Sequence, residues 1–374
     1  MKVDRLKLLS ALKAAQQVAG RRTLDHAPQA GIAKLKVEQG KLKLTAMGGG
    51  VAVVEWLEVW DVEENWSGVI ALAKWLNLLS RLEEDDVRLE VGNEKIRLRC
   101  GAAKAEFALF DVPYPEMQEP PGERIPVQRS LLQTLLQGAP AFWPKEGGNG
   151  DQFVSGEGVV LGLRGGQWMV ENVTRDGSLC YRGTQAAEAD AEGQAYLTAS
   201  GARSLLALLK NMNEDTVSLA FLPAHLAVFG ESRWMLLEHS AGKPLQLDKL
   251  LHAQAECVFR VFAAHLEQAA WRLLAVLEDG PSHRPALEWR QASQMDELRI
   301  SGVDDAGEYE EVLEIQLEKG ALAQAVYHAR RLQMALSHMY GEIRLETWSG
   351  QVNAPILRIQ GDGLTYVLAP ILRR

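Results

Sequence analysis

The amino-acid sequence predicts an α+β protein built from three similar domains, each with two helices packed on antiparallel sheets. Helical and strand periodicities alternate along the chain, and the order helix, strands, helix, strands recurs three times. A length of 374 residues also exceeds what one hydrophobic core usually supports. We therefore expect three domains, at 1–122, 123–252 and 253–374.

The first domain has the clearest pattern. Apolar residues at helical spacing predict helices at 5–18 and 72–82. Alternation of apolar and polar residues predicts four strands between the helices and three after them. These strands are expected at 31–38, 41–47, 51–60, 66–71, 86–91, 95–100 and 104–110. The segment 113–126 that follows is rich in proline and acidic residues, as expected of a linker.

The same order of patterns returns twice. Helices are predicted at VQRSLLQTLLQG (127–138), SGARSLLALLKNM (200–212), FAAHLEQAAWRLLAVL (262–277) and ALAQAVYHARRLQMAL (321–336). Strands are predicted at 159–173, 216–222, 225–230, 233–239, 286–291, 297–303, 342–348, 355–361 and 365–371. The second boundary is expected near 247–256. A period of roughly 120–130 residues is too long for a solenoid and indicates three related domains.

Composition favours a soluble protein of the cytoplasm. The formal net charge is −9, which argues against a general nucleic-acid binder because phosphates favour Lys and Arg. Cys100, Cys180 and Cys257 form no CxxC pair, so reduced thiols are expected rather than disulfides or a zinc site. Lys7 and Lys13 interrupt the apolar N-terminus, which therefore fits an amphipathic helix better than a signal peptide. No apolar run is long enough for a membrane span.

Basic and amide side chains are concentrated on the predicted helices. Five of the six helices contain no Asp or Glu and the sixth contains only Glu267, although the chain has 49 acidic residues. Polar residues recur at one-turn spacing, as in Gln324, His328 and Arg331, so each helix has one polar face. Such faces are either ordinary solvated surface or a surface for sequence-independent contact with phosphates. The side chains predicted for that contact are Lys13, Lys74, Arg81, Arg129, Arg203, Lys210, Arg272, His328 and Arg331.

No catalytic or metal-binding pattern is evident. Adjacent acidic residues lie in predicted turns or loop edges, where solvation is the simpler interpretation than catalysis. These pairs are Glu63-Glu64, Asp85-Asp86, Asp304-Asp305 and Glu310-Glu311. Histidines and cysteines lack zinc-ligand spacing, and there is no phosphate-binding loop. We therefore predict no catalytic residue, metal or cofactor. A nucleic-acid-processing enzyme that uses Asp304 and Asp305 is the alternative from another class.

Several segments together resemble the bacterial sliding clamp, the beta subunit of DNA polymerase III. LLSALKAAQQVAGRRTL resembles that family's first helix and the turn after it, in which Arg21 or Arg22 matches a DNA-contacting arginine. AEFALFDVPYPEM, VTRDGSLC and TYVLAPILRR resemble its first-domain exit, a Thr-Asp-Gly turn and its C-terminal tail. The resemblance implies DNA-clamp domains in a head-to-tail dimeric ring of six domains. Such a ring encircles double-stranded DNA and tethers DNA polymerase and the clamp loader through peptide motifs.

The resemblance also implies roles for particular residues. Ring closure of the homodimer would use Phe107 and Leu109 of the first domain against Val276 and Leu277 of the third. A hydrophobic pocket for partner peptides would lie between the second and third domains. Its residues would be Phe153, Val154, Thr174, Asp176, Gly177, Leu179, Pro244, Leu247, Leu250, Val367, Ala369, Pro370 and Ile371.

The chain also departs from the family pattern. Arg175 interrupts the Thr-Asp-Gly turn, the arginine expected after that turn is missing, and Ala369 replaces a methionine-like residue of the tail. These changes affect residues that would recognise partner peptides. The alternative function is therefore a divergent clamp-fold adaptor that does not form a replicative ring.

Overall fold

The computed structural model shows two compact units. Unit 1 comprises Met1–Gln133 and Ser200–His239, and unit 2 comprises Thr134–Ala199 and Ser240–Arg374. The residues that the structure describes are 1–20, 31–62, 64–92, 94–140, 158–174, 176–241, 247–277, 286–291, 296–303, 307–349 and 354–371.

Within these residues one order of elements occurs three times: strand, helix, four strands, helix, three strands. The first set is β1 (Lys2–Asp4), α1 (Arg5–Ala19), β2 (Ile32–Glu38), β3 (Lys41–Gly48), β4 (Val51–Trp60), β5 (Trp66–Ala71), α2 (Leu72–Leu79), β6 (Asp86–Val91), β7 (Lys95–Cys100) and β8 (Ala103–Ala108). The second set is β9 (Ile125–Gln128), α3 (Arg129–Gly138), β10 (Gly158–Arg164), β11 (Gln167–Val173), β12 (Leu179–Ala186), β13 (Gly193–Thr198), α4 (Ala199–Lys210), β14 (Thr216–Phe221), β15 (His225–Phe229) and β16 (Arg233–Glu238).

The third set follows a short helix, α5 (Asp248–Leu251), and contains one additional strand, β21. It consists of β17 (Cys257–Phe262), α6 (Ala263–Val276), β18 (Ala286–Gln291), β19 (Glu297–Val303), β20 (Glu308–Glu314), β21 (Gln316–Lys319), β22 (Ala325–His328), α7 (Ala329–Leu336), β23 (Glu342–Ser349), β24 (Pro355–Gly361) and β25 (Leu364–Leu368). The predicted triplication is confirmed in the order of elements. The domain boundaries stay a prediction.

The three sets also share backbone contacts. In each, the first strand pairs antiparallel with the strand after the second helix, in the pairs β1–β6, β9–β14 and β17–β23. The first residue of the first helix in each set donates its backbone N–H to a carbonyl just ahead of that later strand. These bonds join Arg5 to Asp85 (2.7 Å), Arg129 to Asp215 (2.8 Å) and Ala263 to Gly341 (2.9 Å). The repeat therefore lies in the backbone architecture, which explains how the side chains can differ so widely.

Antiparallel sheets carry the helices in both units. In unit 1 the strand order is β8-β7-β6-β1-β4-β16-β15-β14-β9, and β2, β3 and β5 extend this sheet from β4. In unit 2 one sheet has the order β13-β10-β11-β12-β25-β24-β23-β17-β21 and another β20-β19-β18-β22. The helices bury their apolar faces, as Leu8, Leu12 and Ala15 do in α1. The predicted α+β class with helices packed on antiparallel sheets is confirmed.

Local sequence determines where α1 begins and ends. Asp4 at its N-cap has an extended backbone and accepts a hydrogen bond of 2.8 Å from the backbone N–H three residues on. Gly20 follows the helix with φ 69°, which glycine adopts without strain. The N-cap residues of α2, α6 and α7 are Ala71, Phe262 and His328, and none makes a side-chain capping bond. These three helices therefore depend on packing against their sheets.

Strands β12, β13, β20 and β21 were not predicted, and the largest error in a predicted boundary concerns the helix expected at 321–336. It begins only at Ala329, because the four residues before it form β22. Two other helices begin one or two residues later than predicted, after β9 and β17. In each case the strand enters the helix without a turn, so its apolar residues continue the helical spacing and conceal the boundary. The prediction that Gln324, His328 and Arg331 share one face of a helix is therefore wrong, because the first two residues precede α7.

Two general expectations concern thiols and membranes. Cys100, Cys180 and Cys257 are free and buried, which confirms the prediction that they form no disulfide. Burial raises the pKa of the Cys180 thiol to about 11, so this thiol is protonated at neutral pH.

Among the described helices, none combines the length and the apolar character that crossing a membrane requires.

Candidate peptide-binding site and nucleic-acid surface

A tight turn between β11 and β12 contains three of the predicted pocket residues, Thr174, Asp176 and Gly177, and a fourth, Leu179, begins β12. The backbone N–H of Thr174 donates to the carbonyl of Leu179 at 2.9 Å, and the N–H of Leu179 donates to the Thr174 hydroxyl at 3.0 Å. Gly177 has φ 67°, a conformation that a side chain would strain. Arg175, which interrupts the family pattern, lies outside the described residues. The turn thus holds its shape through its own backbone and hydroxyl bonds.

Asp176 is the electrostatic centre of this turn. Its carboxylate accepts hydrogen bonds from the hydroxyls of Thr174 and Ser178, both at 2.7 Å, and from the Ser178 N–H at 3.1 Å. The Arg331 guanidinium of α7 donates to its other oxygen at 2.9 Å. Burial acts to raise the pKa of Asp176, but the hydrogen bonds and Arg331 outweigh burial and hold the pKa below its usual value. The charged carboxylate therefore joins the turn to α7.

An apolar cluster adjoins the turn. Its buried members are Cys180, Leu247, Leu251, Trp348 and Val367, and the partly buried Val173, Leu250, Ala253 and Ile356 pack against them. Leu247, Leu250 and Val367 are among the predicted pocket residues. Because part of the cluster remains accessible beside a polar turn, it offers the mixed surface on which extended peptides bind.

The C-terminal tail lies against the same turn. Val367 belongs to β25, which pairs with β12, and the Ala369 N–H donates to the Ser178 carbonyl at 2.8 Å. The Ile371 N–H donates to a carbonyl of β22 at 2.7 Å, and Pro370 lies half-buried between these two bonds. The structure thus brings together the turn, the Leu247 segment and the tail. The predicted pocket residues Phe153, Val154 and Pro244 lie outside the described residues.

Arg358 of β24, a buried arginine whose role was not predicted from the sequence, positions part of this cluster. The Arg358 side chain, 7% exposed, forms an ion pair with the equally buried Glu346. It also donates to the carbonyls of Leu251 at 2.6 Å and Ala253 at 3.1 Å, and its guanidinium lies 5.1 Å from the Trp348 ring centroid. These carbonyls end the α5 segment, so Arg358 holds the segment that carries Leu247 and Leu250. Its position in the apolar strand PILRIQG gave no sign of this role.

A second ion-pair network holds the other side of α5. Arg182 of β12 pairs with the buried Glu171 of β11 and, at 2.7 Å, with Asp248 at the start of α5. Burial raises the pKa of Glu171, and the Arg182 charge opposes this rise. Arg182 therefore connects the strands on either side of the turn to α5, which carries the predicted pocket residue Leu250 and directly follows Leu247.

Replacing Arg331 with methionine is expected to lower the free energy of unfolding by about 1–2 kcal/mol, because the partly exposed Asp176 loses its only charged donor in the described structure. Urea unfolding of the wild type and of the Arg331→Met variant measures this difference in the free energy of unfolding. The pKa of Asp176 is lowered on folding, so the pair stabilises above the unfolded pKa, and its contribution is lost as pH falls through the folded value. The matched control is Lys74→Met on exposed α2 surface, and an equal loss in both variants would contradict the role of the pair.

The residues predicted to contact phosphates occupy different environments. Lys13, Lys74, Arg81, Arg203 and Lys210 are exposed, as a nucleic-acid surface requires. The other described residues of this group are buried or contact neighbouring protein groups as follows. Arg129 is half-buried and donates to the Leu209 carbonyl at 3.3 Å, Arg272 pairs with Glu311 at 2.5 Å, Arg331 binds Asp176, and His328 is buried at the end of β22. Arg21 and Arg22 lie outside the described residues.

The residues predicted for ring closure lie near two sheet edges. Phe107 of β8 is half-buried with its ring centroid 5.2 Å from that of Trp75, and Leu109 follows the strand. Val276 at the end of α6 is exposed and the adjacent Leu277 is buried. Strand β8 ends the sheet of unit 1, and β20 ends a sheet of unit 2.

Comparison with solved structures finds this fold over the whole chain. DNA polymerase III subunit beta from Pseudomonas aeruginosa aligns with a TM-score of 0.82 and 18% identity over 100% of both chains. The beta subunit from Thermotoga maritima aligns at 0.84 and 14%, and a P. aeruginosa sliding clamp bound to griselimycin at 0.83 and 18%, each over 100% of this chain and 99% of the other. No protein-family model and no curated protein matches the sequence. The chain has the fold of the bacterial sliding clamp, the beta subunit of DNA polymerase III.

Proposed function

We propose that this chain is a non-catalytic DNA sliding clamp, a homodimeric ring that encircles double-stranded DNA and tethers DNA polymerase and the clamp loader. The observation that carries the proposal is a pair of open sheet edges at equivalent places in the threefold repeat. Each set of elements has a fourth strand, β4, β12 or β20, and a last strand, β8, β16 or β25. The fourth strand of the first set pairs with the last strand of the second, as β4–β16. The fourth strand of the second set pairs with the last of the third, as β12–β25.

By this rule the partner of β20 is a strand equivalent to β8. Neither strand has a neighbour on its outer edge in the described structure. Unpaired edges favour association because their backbone groups can continue the ladder. Pairing of β20 in one copy with β8 in another is a head-to-tail contact, which forms a ring when it closes.

The charges near the two edges are complementary. The exposed face of β7 and β8 carries Lys95, Arg97, Arg99 and Lys104 against one acid, Glu106. The corresponding face of β19 and β20 carries Glu297, Glu308, Glu310 and Glu314 against Arg299. Opposite potentials favour the β8–β20 contact, and like potentials oppose β8–β8 or β20–β20 contacts.

The lack of acidic residues in the first turns of the helices supports contact with DNA. The first turns of α1, α2, α3, α4, α6 and α7 contain no acidic residue. Acidic side chains there would stabilise the helices through the macrodipole, so helix stability does not explain their absence. A polyanion facing these helices does explain it. The exposed Lys13, Lys74, Arg81, Arg203 and Lys210 would then supply sparse phosphate contacts that permit sliding.

Retention on DNA that depends on topology is the direct test. The protein would be diluted, mixed with nicked circular plasmid, concentrated and passed over a sizing column. We expect it to stay with the circle when salt is raised from about 50 to about 200 mM, a change that weakens purely electrostatic binding by roughly 10³-fold or more. Cutting the loaded circle once with a restriction enzyme should release the protein. Equal retention before and after the cut would contradict encirclement.

We further propose that the turn, the Leu247 cluster and the tail bind peptide motifs of the clamp's partners. The supporting observation is that elements predicted separately are joined by the Asp176, Ala369 and Arg182 bonds. Calorimetry with griselimycin and with a polymerase-derived clamp-binding peptide tests the site. If neither binds while the protein remains on circular DNA, the pocket has other partners.

The second candidate function is a clamp-fold adaptor that forms no replicative ring. The altered turn around Arg175 and the modified tail favour it. Light scattering across a dilution series distinguishes the two functions. A species of about twice 41.3 kDa supports the ring, and a monomer at every concentration supports the adaptor.

A further inference from the structure

Unit 1 contains a cleft that the proposed clamp function does not use. Its volume is about 1020 Å³, at the upper end of the range for ligand sites. It is bordered by the start of α1, the β2–β3 hairpin, β4, the linker after β8, the segment between α4 and β14, and the β15–β16 hairpin. Two directly paired residues, Glu55 of β4 and Arg233 of β16, lie in its floor.

The floor holds buried polar atoms that lack partners. Glu55 is 3% exposed, and its carboxylate forms an ion pair of 2.9 Å with Arg233, whose side chain is 10% exposed. Within the described residues, the second oxygen of Glu55 and Nε and Nη1 of Arg233 make no hydrogen bond. Both residues line the cleft, and their side chains lie on the same face because they are directly paired. Buried polar groups are normally paired, so these atoms indicate a ligand with both donors and acceptors.

The cleft also has an excess of negative charge. Glu214 accepts a hydrogen bond of 3.1 Å from the Glu231 N–H, and neither carboxylate forms an ion pair in the described part of the chain. Burial raises the pKa of Glu55 to about 7; Arg233 opposes this rise and the charge of Glu214 adds to it. The other charged groups around the cleft are Lys7, Glu38, Lys41, Glu58, Glu119 and Arg124, among which Lys41 pairs with Glu58 and Arg124 with Glu119. The cleft can therefore accommodate a positive charge of a ligand beside Glu55 and Glu214, in addition to the charge of Arg233.

Aromatic walls suit a flat cation. The guanidinium carbon of Arg124 lies 4.1 Å from the centroid of the Phe229 ring at the edge of the cleft. The half-buried Trp56 forms another wall, and the Lys43 ammonium lies 5.7 Å from its ring centroid. Guanidinium groups are attracted to the faces of aromatic rings, and Arg124 shows that this cleft accepts such an arrangement.

We propose that this cleft is a second docking site, which binds an extended segment of a partner protein through an arginine or lysine side chain. A backbone carbonyl of the segment accepts from Arg233, and its cationic side chain donates to Glu55 and balances Glu214 and Glu231. A free polyamine would leave the donors without an acceptor, and phosphate would be repelled by the carboxylates. All the lining residues belong to unit 1, whereas the Leu247 cluster belongs to unit 2.

A random heptapeptide phage library panned against the full chain tests this proposal. We expect enrichment of peptides with Arg or Lys that compete with one another for the wild-type protein. The strongest is then measured by calorimetry as a synthetic peptide and as its analogue with citrulline in place of arginine. Loss of the positive charge is expected to weaken binding by about tenfold or more, because a paired charge becomes neutral.

Two variants locate the binding. Glu55→Gln keeps the side-chain shape and removes the buried charge, and Glu214→Gln with Glu231→Gln leaves the Glu55–Arg233 pair intact if the first variant folds poorly. Each is expected to weaken the peptide by about tenfold. Leu250→Asp in the unit 2 cluster is the matched control and should leave the affinity unchanged. Enrichment without basic residues, equal binding of the citrulline peptide, or equal binding to the Gln variants would overturn the proposal. None of these measurements requires a ring or DNA, so their failure is distinct from failure of the proposed clamp.

Discussion

Reversing two charges on strand β20 is expected to dissociate the proposed ring, and a second variant with two charges reversed near β8 is expected to restore it. Glu308→Lys with Glu310→Lys places positive charge on an edge that would face Arg99 and Lys104 of the next copy. Like charges across an interface cost several kcal/mol, whereas exposed pairs of opposite charge contribute little each. The dimer should therefore weaken by about 100-fold or more, which corresponds to about 2.7 kcal/mol.

The complementary variant carries Arg99→Glu with Lys104→Glu. Alone, this variant should also be monomeric, because its β8 edge is now acidic and would face the acidic β20 of a second copy. In a mixture, the altered β20 of one variant faces the altered β8 of the other, and the two unaltered edges face each other. Both contacts of the ring are then attractive, so the mixture should form heterodimers only. Light scattering on each variant and on the mixture measures the result.

The control is an equal change of charge away from both edges. Glu188→Lys with Glu192→Lys alters exposed residues between β12 and β13 and should leave the mass unchanged. If the β20 variant dissociates but the mixture stays monomeric, the two edges are not partners. If the β20 variant remains dimeric, the association uses another surface. Under β20–β20 pairing the Arg99→Glu and Lys104→Glu variant would keep an unaltered interface and stay dimeric alone. Loss of the dimer in both variants and its return in the mixture are therefore specific to a head-to-tail contact.

The repeated architecture could be predicted because it depends on periodicity, which survives when identity is lost. The helices α1 and α2 and the strands β2 to β8 were predicted within a few residues, whereas β1 was not predicted. The boundary between β22 and α7 could not be predicted, because Ala325, Val326 and Ala329 fit both the alternating and the helical pattern. The β-strand hydrogen bonds that decide between them come from β18, about 40 residues earlier in the chain.

The candidate pocket was predictable only where its chemistry is local. The turn with Thr174, Asp176 and Gly177 has a recognisable sequence because its bonds are made within six residues. The role of Arg331 was not recognisable, because an arginine on a helix face looks the same whether it faces a phosphate or a carboxylate. Its partner Asp176 lies 155 residues away. Long-range ion pairs of this kind decide which basic residues remain available for the proposed contact with DNA.

Arg358→Met is the substitution expected to affect the pocket most. Among the described residues it leaves Glu346 buried with the exposed Arg344 as its remaining cation, and it removes the donor from the carbonyls of Leu251 and Ala253. Breaking a buried pair from one side costs about 3–5 kcal/mol, because the buried charge that remains is only partly compensated. Affinity for the polymerase-derived clamp-binding peptide should also fall by about tenfold or more, since the C-terminal end of α5 loses its donor and, within the described structure, only the Arg182–Asp248 pair at its start remains to position it. Urea unfolding and calorimetry measure the two effects separately.

The double variant Arg358→Met with Glu346→Met distinguishes positioning from stability. Replacing both members of a buried pair by apolar residues is often neutral, so most of the lost stability should return. The carbonyls of the α5 segment still lack their donor, so peptide affinity should stay low. Arg344→Met is the control, because it removes the other arginine at Glu346 without touching α5 and should change both quantities little. A double variant that binds peptide as well as the wild type would show that Arg358 serves stability alone. A double variant that is stable yet binds the peptide weakly would show that Arg358 positions the α5 segment and thereby determines the shape of the pocket.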